Sequence, residues 1–107
     1  MFSASHCAKF RHELKDIVQT YGTAYPWQVQ FTCVVEFGSG SGVAEIAKKE
    51  PAVRAEIQQS IANMNPAEML HASGKQRMKD GIIAAVNRQL TTVRVRQVYW
   101  TAFIVLR

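Results

Sequence analysis

The sequence predicts an α+β domain, a β-sheet packed against two or three helices. Three observations predict it. Residues 27–37, WQVQFTCVVEF, alternate Trp27, Val29, Phe31 and Cys33 with Gln28, Gln30 and Thr32 and then turn apolar throughout, which is the period of a strand. Residues 51–90 repeat apolar side chains every three or four positions, which is the period of helices. The chain closes on RVRQVYWTAFIVLR, residues 94–107, a second strand. The helices therefore stand between two strands. Two strands alone make a poor sheet, so a third strand or another chain has to complete it.

The elements follow in order. Residues 5–20 read as a modest helix, with Phe10, Leu14, Ile17 and Val18 at helical spacing and Gly22 suited to its end. A loop runs through Pro26. After the first strand, GSGSG at 38–42 is a flexible loop. It lacks the G-K-[ST] and G-x-G-x-x-G patterns by which backbone N–H groups hold phosphate. A helix starts over Val43 to Glu50, and Pro51 continues or restarts it, since a proline fits a first turn. Val53, Ile57, Ile61 and Met64 give the next stripe. Asn65-Pro66-Ala67-Glu68 reads as another helix start, Asn65 as the cap and Glu68 as the capping-box acid. That short helix ends near Ala72. Ser73 caps a third, from Gly74 to Leu90, with Met78, Ile82, Val86 and Leu90 along one side. On simple alternation the closing strand sends Val95, Gln97, Tyr99, Thr101, Phe103 and Val105 one way. Arg94, Arg96, Val98, Trp100, Ala102, Ile104 and Leu106 then point the other way. In domain terms, residues 1–26 form a helical extension and loop, and 27–107 the α+β domain.

Bulk composition narrows the function. The 107 residues are 48% hydrophobic and 20% charged, which excludes a disordered chain. A chain of this length buries roughly 65% of its unfolded surface, enough for one core. No apolar run approaches the ~20 residues of a membrane helix, and the start, MFSASHCAKFRHELKD, lacks the apolar stretch of a secretory signal. On that reading the chain as given, without signal or anchor, is cytoplasmic. Net charge is +5, which permits an acidic partner. The basic residues are dispersed, however, so a nucleic-acid stripe is disfavoured against a solvated surface.

Little chemistry converges. Cys7 and Cys33 are read as free thiols, Cys33 as a core residue among Phe31, Val34 and Val35. His6, Cys7 and His12 are spaced five and six apart, which misses the i, i+4 spacing of a helical metal pair. His71 stands near a helix end, and Glu36 reads as a strand-edge surface acid. Ser39 and Ser41 lack a G-x-S-x-G setting. Met64, Met69 and Met78 read as core filler, and Tyr99 and Trp100 as fitting the core side of the final strand. The sequence thus indicates no enzyme, metal, cofactor or small-molecule substrate.

Glu50-Pro-Ala-Val-Arg54, Asn65-Pro-Ala-Glu-Met-Leu70, Ser73-Gly-Lys75 and Val95-Arg-Gln-Val-Tyr-Trp-Thr-Ala-Phe-Ile104 occur in that order. Together they resemble the C-terminal periplasmic domain of the FliL family of flagellar basal-body proteins, over about residues 28–107. In place of the residues before Pro26, family members carry a cytoplasmic stub, a membrane anchor, a linker and an early strand, so the anchor is absent from this chain. The resemblance implies a stomatin-like fold and a non-enzymatic role in flagellar motility. It further implies self-assembly, support of the motor's stator units, and a place on the periplasmic face of the bacterial inner membrane. Arg54, Arg94, Arg96 and Tyr99 are the candidate partner-contact residues. The alternative is a soluble basic module that binds nucleic acid or an acidic protein.

Overall fold

Val29, Phe31, Cys33, Val35 and Phe37 fall on one side of residues 27–37, and all five are buried. A strand so patterned needs a cover over that face and a neighbour at each edge. Both are present in the computed structural model, which describes residues 10–22 and 26–107. β1 (Arg11–Tyr21), β2 (Trp27–Phe37) and β3 (Val95–Leu106) form one antiparallel sheet in the order β1-β2-β3. Between β2 and β3 the chain forms α1 (Gly40–Lys48), α2 (Glu50–Ile61), a 3-10 turn (Pro66–Leu70) and α3 (Ala72–Gln89). Ile46, Val53, Ile57, Ile61, Met69, Met78, Ile82, Ala85 and Val86 of these helices join the sheet in one core. The fold is α+β, with the helices inserted between the second and third strands.

β1 is the missing strand, and it corrects the helix expected over 5–20; residues 5–9 lie outside the described residues. Leu14 pairs with Cys33 and Ile17 with Phe31, so three steps on β1 match two on β2. This is a bulge. Asp16 takes the left-handed conformation there, φ 52°, which a short polar side chain tolerates. Its N–H donates to Thr32 Oγ1 at 3.1 Å. The extra residue returns Ile17 to the face of Leu14, which produces a spacing of three that imitates a helix.

β3 carries two such irregularities. Glu36 pairs with Gln97 and Phe37 with Val95; Thr32 pairs with Ala102 and Cys33 with Trp100. Arg96 and Thr101 are the extra residues, and each reverses the alternation. Simple alternation therefore assigns Trp100 to the wrong side. Trp100 faces the helices with Val98, Phe103 and Val105, while Ile104 and Leu106 face outward. Trp100 meets Phe31 edge-on at 5.3 Å between ring centroids, and Phe103 lies 5.1 Å from Trp100.

The helices start and stop for local reasons. α1 begins at Gly40, inside the expected loop, and its Gly42 is buried against Phe37 and Val93, where a Cβ would lie 2.6 Å from each. Pro51 restarts the chain as α2, which ends at Ile61. Tyr21 Oη donates to the Ile61 carbonyl at 2.6 Å, satisfying a group that the helix end leaves open. Burial pushes the Tyr21 hydroxyl up to about 12. Asn65 caps the 3-10 turn through Oδ1, which accepts from Ala67 N at 3.0 Å. Glu68 does not close a capping box and instead pairs with Arg77. α3 starts at Ala72, so Ser73 lies inside it and His71 precedes its first residue.

Glu45 holds the approach to β3. Its carboxylate accepts from Lys49 Nζ at 2.8 Å and from the backbone and hydroxyl groups of Thr91 and Thr92 at 2.6–3.2 Å. Lys49 and then the threonine donors hold this carboxyl well below its usual value of 4.5. A depressed carboxyl stabilises the folded state above its ordinary pKa, and that contribution is lost as pH falls toward the folded value. Acidification below 4.5 should therefore lower the wild-type Tm more steeply than that of Glu45→Gln. Parallel slopes between about pH 7 and pH 3 would refute the clamp.

Candidate partner interface

The two faces of the sheet differ. One is sealed by helices. The other presents Arg11, Glu13 and Val18 from β1, Gln28, Gln30, Thr32, Val34 and Glu36 from β2, and Gln97, Tyr99, Ala102, Ile104 and Leu106 from β3. No helix of the described residues covers it. Ile104 is 51% exposed and Leu106 46%. Leu70, in the 3-10 turn, is the remaining large exposed apolar residue among those described.

Toward the Glu36 end of this open face lies a built feature. Arg11 Nη1 donates to Tyr99 Oη at 3.2 Å, from one edge strand to the other. The two side chains pass over Val34, which is only 6% exposed although it points away from the helices. Arg11, Glu13, Val34, Tyr99 and Thr101 line a shallow depression there. Polar groups thus rim an apolar floor, an arrangement that suits protein contact.

The four candidate contact residues do not form one group. Tyr99 belongs to the open face. Arg94 lies just before β3, where its Nη1 donates to the Asn87 carbonyl at 3.2 Å. Arg96 is the extra residue of a bulge, its Cδ against Gly38. Arg54 lies in the helical layer, where its Nε donates to Glu50 Oε2 at 2.9 Å. The other Glu50 oxygen is 2.7 Å from His12 Nε2. Arg54, and then His12, hold the Glu50 carboxyl below its usual value. His12 is thus a clasp between β1 and α2. Among the described residues no three His, Cys, Asp or Glu side chains gather in a way that could hold a metal; His6 and Cys7 lie outside them.

Sequence reasoning missed Arg11, because a helix over 5–20 gives it no face to share with Tyr99. The alternation of Arg11 and Glu13 with His12 and Leu14 was the available signal. Cys33 is buried and unbonded, and burial pushes its thiol up to about 12, which makes it an inert core residue. Glu36 is on the central strand and half-buried, so it is not at a sheet edge.

The structure defines a class: a small α+β domain with a three-stranded antiparallel sheet, helices on one face and an open face opposite. The sequence matches the family described as flagellar basal body-associated protein FliL over residues 10–105, and the chain belongs to that family. The match takes in β1, so the family region begins well before residue 28. The role that follows is association with the flagellar basal body. No match is found among curated proteins. Among the described residues no helix is long and apolar enough to cross a membrane.

Proposed function

We propose that this chain is a non-enzymatic interaction domain of the flagellar motor. It self-assembles and supports the stator units, at the periplasmic face of the inner membrane. The observation that carries this reading is the open sheet face in a chain that matches the basal-body family over most of its length. Exposed Ile104 and Leu106 supply apolar contact area at the Gln28 end of this face, and Tyr99 and Arg11 over the rimmed Val34 floor supply a second contact toward the Glu36 end. Arg54, Arg94 and Arg96 are outlying candidates, and Arg54 is already engaged by Glu50.

The test is mass in solution together with association with purified stator complex. Wild type is expected to exceed the monomer mass and to bind the stator. Ile104→Asp should weaken both while shifting stability by no more than about 0.5 kcal/mol, as an exposed substitution does. A wild-type monomer that ignores the stator at high concentration would overturn the reading.

A further inference from the structure

The two edges of the sheet are unequal. β1 is interrupted by the bulge at Asp16, and its Val18 carbonyl accepts from Gln58 Nε2 at 2.9 Å. β3 has a strand on one side only. No backbone group of β3 bonds to backbone outside the sheet among the described residues. Between Thr101 and the end of β3, residues 102–106 pair with β2 without a further register shift. That is a regular, unpaired strand edge, which natural sheets usually blunt.

Charge is unbalanced along the same edge. Glu13, Glu45, Glu50, Glu56 and Glu68 are each paired with a basic residue. Asp80 accepts from Gln76 at 3.1 Å. Lys75 and Lys79 have no acid in ion-pair contact among the described residues. They stand one turn apart on α3, where like charges repel. Lys75 Nζ lies 4.9 Å from the Phe103 ring centroid and Lys79 Nζ 5.9 Å from that of Trp100. Both ammonium groups are therefore set beside β3, on the helix side of its edge. The opposite side of that edge is the apolar surface of Ile104 and Leu106.

We propose that β3 accepts an extended segment of a partner protein, paired as a fourth strand on residues 102–106, with alternating acidic and apolar side chains. Successive residues of a strand point to opposite faces. An added strand would place one set beside Lys75 and Lys79 and the other beside Ile104 and Leu106. Main-chain hydrogen bonds supply affinity in this mode and the alternate side chains supply specificity. A second copy of this chain is a poor occupant, because pairing two β3 edges brings four uncompensated lysines together. This inference gives the chemistry of one partner of the interaction domain and rests on that reading.

The probe is a synthetic peptide of about ten residues alternating Val and Glu, beside its Lys-for-Glu counterpart and a single-stranded oligothymidylate. At about 50 mM salt, where screening is weak, the acidic peptide should bind at least tenfold tighter than the basic one. It should also slow amide hydrogen exchange within residues 102–106. Lys75→Glu with Lys79→Glu should reverse the preference, with Tm showing that the variant is folded. Equal affinity for the two peptides, no binding, protection on β1 instead, or tighter binding of the oligonucleotide would each overturn the proposal. Stator binding is measured separately, so a failure here with the stator still bound removes only the edge site.

Discussion

Phe31→Ala is expected to lower the free energy of unfolding by about 3–5 kcal/mol, the range for emptying a buried aromatic site. Phe31 is 1% exposed and sits on the central strand. Its ring meets Trp100 edge-on and lies 6.2 Å from Phe103 in a stacked arrangement. Such ring pairs add about 0.5–1.5 kcal/mol each beyond area burial. Neither neighbour can fill the space, because both belong to β3 and are held by its pairing with β2. A domain of this length has about 5–15 kcal/mol in total, so the variant should be near the limit of folding. Urea unfolding of wild type, Phe31→Leu and Phe31→Ala checks this. A loss below about 1 kcal/mol for alanine would mean that this part of the core is not packed as described.

Gly74→Ala should also destabilise, against the ordinary expectation for a helix. Alanine in a helix interior is favoured over glycine by roughly 0.5–1 kcal/mol. At Gly74, however, a Cβ would collide with the Glu68 carbonyl oxygen, with the carbonyl carbon 2.5 Å and the Met69 nitrogen 3.1 Å away. These are backbone atoms of the 3-10 turn, so no rotamer change relieves the contact. Relief requires separating the turn from α3, which pulls the buried Met69 away from the core. Overpacking of this kind costs about 1–3 kcal/mol and occasionally more, which outweighs the helix gain. A fall in Tm of roughly 10 °C is expected. Gly81→Ala is the control: its Cβ would meet only the Ser60 side chain, at 4.0 Å. That variant should rise slightly in stability, by about 0.4–1 kcal/mol. Equal behaviour at the two positions would contradict the close approach at Gly74.

The parts of the fold that were legible in the sequence are those with an undisturbed period. The stripes Val53, Ile57, Ile61 and Met78, Ile82, Val86 are buried as their spacing requires, and the alternation of β2 holds over its whole core side. The parts that were not legible contain an inserted residue. Leu14 and Ile17 are three apart because Lys15 and Asp16 together oppose a single step of β2. The same effect at Arg96 and Thr101 moved Trp100 to the helix side. Nothing in composition marks a bulge, since the signal is the absence of a partner on the next strand. The interface was half legible for a related reason. Tyr99 could be found within one segment, but its relation to Arg11 joins residues 88 positions apart. The uncompensated lysines of α3 become visible only after Glu13, Glu45, Glu50, Glu56 and Glu68 have been matched to their basic partners.

The inserted threonine in β3 has a broader meaning for how such a domain can change. Upstream of position 101 the strand turns Val98 and Trp100 toward the helices; downstream the alternation is shifted by one, so Phe103 and Val105 take that side and Ile104 and Leu106 the open one. Ile104 and Leu106 can therefore be exchanged for other side chains without altering the space that Val98 and Trp100 fill. A single extra peptide unit thus sets the exposed side chains of this stretch on the face opposite its packed ones, so that the former can drift while the scaffold stays constant.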